Sequence, residues 1–120
     1  MGDIRSTSRL LEEYQRHTAQ LEELHALLHE RLGAARAEWD SLAEGAHLPG
    51  PPAADEPVSP ARARAERART TVTEIEAAIE RLNSGVYGTC RRCGALITLR
   101  RLRLVPHTRH CTVCQDERRR

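Results

Sequence analysis

Four cysteines in two Cys-x-x-Cys pairs constrain this chain more than any other feature. Cys90-Arg91-Arg92-Cys93-Gly94 and Cys111-Thr112-Val113-Cys114 are separated by 17 residues. That spacing is a zinc-ribbon pattern, in which each pair forms a short knuckle and two knuckles close a tetrahedral four-thiolate site. Gly94 lets the first knuckle turn over its own backbone, which needs a residue tolerant of positive φ. Protein ligands then fill every position, with none left for an activated water, so a single structural zinc is expected. Disulfides are the competing reading, and a cytoplasmic chain disfavours them. Four thiolates leave a negative site that Arg91, Arg92 and Arg109 are placed to offset. His107 and His110 lie close by as substitute ligands, but the four-cysteine set is complete without them and they read as surface residues.

Upstream, residues 4–44 contain no Pro and one Gly, Gly33. Leu10, Tyr14, His17, Leu21, Leu24, Leu28, Arg31, Ala35, Trp39 and Leu42 recur at steps of three or four, and Leu11, Leu27 and Leu32 widen the stripe. This spacing predicts a long amphipathic helix over 8–44 of coiled-coil composition. Residues 45–58 hold four prolines and two glycines, which forbid a continuous helix and predict a tip loop. Ser59-Pro60 restarts a helix, with Ser as N-cap and Pro as its first residue. Ala61, Ala65, Ala68, Val72, Ile75, Ile79 and Leu82 give it a strict stripe, and Asn83-Ser84-Gly85 stops it, for a helix over 60–83.

Folding the two helices about the loop brings the stripes face to face. With Ala43 beside Pro60, Leu82 faces Leu21, Ile79 faces Leu24, Ile75 faces Leu28, Val72 faces Arg31, Ala68 faces Ala35, and Ala65 lies near Trp39. The expected architecture is mainly α. A long antiparallel helical hairpin, residues 1–84, joins a small four-cysteine zinc finger with a short basic tail, residues 85–120. Helix one, at ~54 Å, overshoots helix two, at ~36 Å, by roughly twelve residues. Its first apolar residues, Leu10, Leu11 and Tyr14, are therefore expected to pack on the zinc module. There, Ala95–Leu99 reads as a short apolar strand or turn, and Arg100–Pro106 has alternating character.

Charge is divided along the chain. Residues 1–89 hold 10 Arg against 15 acids, and residues 90–120 hold 9 Arg against 2 acids. An acidic body on a basic tail suggests two functional ends. No apolar run approaches a membrane span. Met1–Arg5 lacks the apolar segment of a signal peptide, so a cytoplasmic location is expected. No nucleophile–base pair, open metal position or phosphate loop is evident, so the chain is not expected to be an enzyme.

The stretch from Gly85-Val86-Tyr87-Gly88-Thr89-Cys90 to Cys114 resembles the DksA/TraR family of four-cysteine zinc-finger transcription factors. The shared residues are Tyr87, Gly88, Cys90, Cys93, Gly94, Ile97, Arg101, Leu102, Pro106, Cys111 and Cys114. The resemblance implies a regulator that binds bacterial RNA polymerase and inserts its hairpin into the secondary channel, many members acting with the alarmone ppGpp. The best-known members carry Asp-x-x-Asp-x-Ala at the hairpin tip; this chain has His47-Leu48-Pro49-Gly50, which leaves Asp55 and Glu56 as the tip candidates. Arg67 matches a basic family position and is the candidate polymerase or alarmone contact. Glu74 stands where the family's alarmone site offers a lysine, and an acid there repels pyrophosphate. Gln115 likewise replaces a basic residue, so ppGpp binding is expected to be weak at most.

Two other readings stay open. One is a nucleic-acid-binding zinc ribbon using Arg100, Arg101, Arg103, Arg109 and Arg118–Arg120, since phosphate binding needs little beyond charge. The basic segment has no aromatic residue for base stacking, and the acidic hairpin opposes DNA, so direct DNA binding is not expected. The other is a protein-interaction adaptor without channel activity. A monomer is expected in each case.

Overall fold

The computed structural model describes residues 4–46 and 59–118. Among the described residues four helices follow in chain order: α1 (Ile4–Ala46), α2 (Pro60–Ser84), α3 (Leu99–Leu104) and α4 (Thr112–Arg118). Among the described residues, the β structure is one antiparallel bridge between Thr89 and Leu96. The molecule measures 74 × 32 × 21 Å. No described helix is long and apolar enough to cross a membrane. The Pro-rich segment 47–58, with Asp55 and Glu56, lies outside the described residues.

α1 is longer at both ends than its apolar stripe, because no Gly or Pro interrupts residues 4–32 and helix propensity continues past the last seam leucine. α2 begins as its sequence requires. The Ser59 hydroxyl accepts from the Arg62 N–H at 3.1 Å, and Pro60 takes the first helical position. It ends at Gly85, whose φ of +80° lets its N–H reach the Arg81 and Leu82 carbonyls.

The two long helices form the expected antiparallel hairpin. Leu28, Leu32, Ala35, Val72, Ile75 and Ala78 make one buried cluster, with Trp39, Ile79 and Leu82 packed against it. The residue-by-residue pairing differs from the sequence reading. Arg31, paired there with Val72, is exposed, and Leu32 joins the cluster instead. Leu24, paired there with Ile79, belongs to a second cluster in the zinc module. Knobs of one helix enter holes between several residues of the other, so a one-to-one pairing cannot capture the seam. An ion pair between Arg36 and Glu76, at 3.2 Å, flanks it.

The start of α1 does not pack on the zinc module: Leu10, Leu11 and Tyr14 are 67%, 55% and 68% exposed. The link from Gly85 to Cys90 is short and turns at once, so the module meets α1 near Leu24 instead, more than two turns beyond Tyr14. Residues 99–104 are helical rather than alternating. The Thr98 hydroxyl caps them by accepting from the Arg101 N–H at 3.2 Å. Leu99 and Leu102 share the inner face of that turn, and Leu104 is left exposed.

Candidate metal centre

The zinc module is assembled from tight turns. Gly88 and Gly94 adopt φ of +89° and +77°, a region that side chains resist. The first knuckle closes through the Gly94 N–H to the Cys90 carbonyl at 2.9 Å, and the Cys90 N–H to the Ala95 carbonyl at 2.8 Å. The second pair is built differently from the expected knuckle. Cys111 precedes α4, Cys114 lies in its first turn, and the Gln115 N–H donates to the Cys111 carbonyl at 3.0 Å. The Arg91 N–H donates to the Arg109 carbonyl at 2.8 Å and ties the two halves together.

This arrangement brings all four predicted cysteines together. Their Sγ atoms lie within 4.8 Å of one another, and the thiols are free of disulfides. Cys90 and Cys114 are buried; Cys111 is half-buried and Cys93 exposed. The Sγ atoms of Cys93 and Cys111 are 3.8 Å apart. With zinc–sulfur bonds of about 2.3 Å, the edge of a tetrahedral four-sulfur site is about 3.8 Å.

The electrostatics of the thiols point the same way. The backbone N–H of Cys93, with those of Cys111 and Arg92, holds the Cys90 thiol down to about 5 against the effect of burial. Burial, with hydrogen bonding from the sulfurs of Cys111, Cys93 and Cys90, pushes Cys114 up to about 12. The site thus favours the thiolate of Cys90 and disfavours that of Cys114, and a divalent cation relieves that conflict. The donor set fits a four-coordinate structural zinc, so the chain's cofactor is one zinc in a C4 finger.

Neither neighbouring histidine joins the sulfur group. His107 instead faces Glu74 on α2, Nε2 to carboxylate, at 3.8 Å. Burial, then the nearby Arg31 and Arg81, lowers its pKa, and Glu74 works in the opposite direction. The His110 carbonyl accepts from Arg101 Nε at 3.0 Å. Arg101 also reaches the Thr108 hydroxyl at 3.4 Å, so one guanidinium braces the loop before the second cysteine pair. Arg92 pairs with Glu117 on α4 at 2.8 Å. Arg67 is exposed on α2.

The sequence reading missed the residues that seat the module on the hairpin. Tyr87 packs against both buried clusters and donates its hydroxyl to the Pro106 carbonyl at 2.9 Å. Arg103 on α3 pairs with Glu23 on α1. These contacts join residues distant in sequence, and no local spacing announces them. Glu74, Arg101, His107, Thr108, Arg109 and Gln115 line a groove between α2 and the module.

Comparison with known proteins agrees with this geometry. Residues 85–120 match the prokaryotic dksA/traR C4-type zinc finger. An uncharacterized protein of Aquifex aeolicus (strain VF5) is 45% identical over 47 residues, which are 39% of this chain and 32% of that protein. The match therefore spans about a third of that curated relative. Among solved structures, transcription factor DksA2 from Pseudomonas aeruginosa is 28% identical, with a TM-score of 0.63 over 84% of each chain. The DnaK suppressor protein from Agrobacterium tumefaciens C58 is 27% identical, with a TM-score of 0.54 over 80% of this chain and 91% of that one. Residues 85–120 are thus a dksA/traR C4-type zinc finger, and the hairpin-plus-finger architecture of the chain is similar to that of these two DksA-type structures.

Proposed function

We propose that the protein is a DksA-type transcription regulator that binds bacterial RNA polymerase and inserts its helical hairpin into the secondary channel. The observation that carries this reading is the long hairpin braced against a C4 finger, matched over 84% of its length to a transcription factor. In this proposal Cys90, Cys93, Cys111 and Cys114 hold the zinc, and the zinc holds the finger on which α3 and Tyr87 seat the hairpin. The finger's role is positional, because a four-thiolate zinc has no open site for chemistry.

The tip of this protein lacks the Asp-x-x-Asp motif of the best-known relatives. Asp55 and Glu56 are the carboxylates left to act near the polymerase's catalytic metal or its basic neighbours. Arg67, exposed on α2, is the proposed polymerase or alarmone contact. With Glu74 lining the groove beside His107, ppGpp binding is weak.

A nucleic-acid-binding ribbon is the less favoured reading, because two of its arginines are engaged within the fold. Arg101 braces the His110 loop and Arg103 pairs with Glu23.

The test is retention of purified core RNA polymerase by the zinc-loaded protein, with and without a competing secondary-channel factor. Retention that the competitor abolishes supports channel binding. Retention that it leaves unchanged marks an adaptor, and no retention sinks the proposal.

A further inference from the structure

His25 and His29 lie one helical turn apart on α1, on a face that the hairpin and the finger leave uncovered. Both rings are exposed, and their Nε2 atoms face each other at 3.2 Å. The ring centroids are 4.4 Å apart with an interplanar angle of 65°. Within the fold, one ring nitrogen donates to the other, and the tautomers of the two rings set which one does so. A pair of imidazole nitrogens held at this distance is also a bidentate metal chelate.

The geometry decides the class of ligand. With metal–nitrogen bonds of about 2.0–2.1 Å, a 3.2 Å separation corresponds to an angle at the metal of about 100°. That lies between the right angle of square-planar and octahedral ions and the wider angle of a tetrahedral one. Imidazole donors suit nickel, copper and zinc; magnesium and calcium prefer all-oxygen sites. Spacing on a helix supplies a further donor. Glu22 stands three residues before His25, and side chains three or four apart share one helix face. Glu22 is exposed, so rotation of its side chain is unhindered by packing. The adjacent Glu23 is on another face and is already paired with Arg103.

We propose that His25 and His29 form a second metal site, distinct from the four cysteines, that takes one late first-row divalent cation, with Glu22 as an oxygen donor and water in the remaining positions. The helix backbone preorganises the two nitrogens, so the cation takes the place of the hydrogen bond between the rings: the donor ring shifts its proton from Nε2 to Nδ1 through solvent, both rings stay neutral, and the fold does not rearrange. Because the two ligands are one turn apart, an occupied site also clips that turn of α1. The site has open positions and stands on the surface, so its metal exchanges, in contrast to the enclosed zinc of the finger.

The experiment is nickel titration of the full, zinc-loaded chain by calorimetry, with zinc content measured before and after. One nickel per chain is expected, with zinc retained. His25→Gln and His29→Gln should each weaken nickel binding about tenfold or more, since each removes the preorganised second ligand. Glu22→Gln should weaken it less. Helical circular dichroism checks that the variants remain folded, and nickel should raise the melting temperature of the parent but not of the double His25→Gln, His29→Gln variant. Binding that persists undiminished in the double variant, or no nickel bound beyond the zinc, overturns the proposal and leaves the pair as a ring-to-ring hydrogen bond.

Discussion

Arg103 grips Glu23 with two parallel hydrogen bonds, Nε at 3.0 Å and Nη2 at 3.1 Å, across 80 residues of sequence. This bidentate pair fastens α3 of the finger to the middle of α1. Both side chains are half-exposed, so solvent screens most of the attraction. A double-mutant cycle of Arg103→Ala and Glu23→Ala should give a coupling of about 0.2–1 kcal/mol in urea unfolding. The pair orients the module, while Leu24, Ile97 and Leu102 beside it supply the adhesion.

Loss of the metal should separate the two parts of the molecule. A structural zinc contributes about 10–16 kcal/mol of apparent binding energy, and that energy is folding energy for a small finger. Cys111→Ser should therefore lose zinc and unfold the module, while much of the hairpin remains helical. Metal analysis together with far-ultraviolet circular dichroism checks this. A full complement of zinc in the variant would contradict the four-cysteine assignment.

The hairpin seam predicts unequal costs along α2. Ile75 is 2% exposed in the centre of the buried cluster, so Ile75→Ala should cost about 2–5 kcal/mol. Arg64, on the exposed face, should cost less than about 0.5 kcal/mol when changed to Ala. Chemical denaturation of both variants tests the assignment, and equal losses would refute the seam.

Two glycines should respond in opposite directions. Gly33 lies inside α1, and a Cβ there would meet nothing within 4 Å. Gly33→Ala should stabilise the helix by about 0.5–1 kcal/mol. Gly85 also has open space around it, but its φ is +80°. Gly85→Ala should cost about 1–2 kcal/mol through backbone strain. Thermal melts of the two variants should shift in opposite directions.

Tyr87 makes stability sensitive to alkaline pH. Burial pushes its phenol up from 10.0 to about 12, with the nearby Arg81 opposing the shift. The folded state holds that proton where the unfolded chain releases it. The contribution is therefore fully present below pH 10 and is lost as pH rises through about 12. Tyr87→Phe should remove this part of the alkaline decline, and tyrosinate absorbance should show the late-titrating phenol missing from the variant. The same change leaves the Pro106 carbonyl without its donor, at a cost of about 1–3 kcal/mol near neutral pH.

The elements whose causes are local were legible in the chain. Ser59-Pro60 and Gly85 set the ends of α2 through capping and backbone geometry, and the structure places those ends within one residue of the sequence reading. The two Cys-x-x-Cys pairs carried the metal chemistry, because the donor type and its short spacing dictate a tight turn around a soft cation. The sequence reading passed over His25 and His29, because their i, i+4 spacing gains meaning only from the facing of their nitrogens in the fold.

Tertiary packing decided the remainder. Hydrophobic stripes establish which face of a helix is buried, but burial energy is non-directional and leaves the meshing of two stripes to side-chain shape. Leu32 thus took the place in the core that Arg31 held in the sequence pairing. The short turns after Gly85 set the finger against Leu24 and Glu23, so Leu10, Leu11 and Tyr14 were left uncovered. The exception is α3, whose cap at Thr98 is local and was missed in the alternating stretch. Sequence determined the elements and the metal ligands through interactions a few residues long; the seating of the finger on the hairpin depends on contacts across up to 80 residues, which only the folded chain brings together.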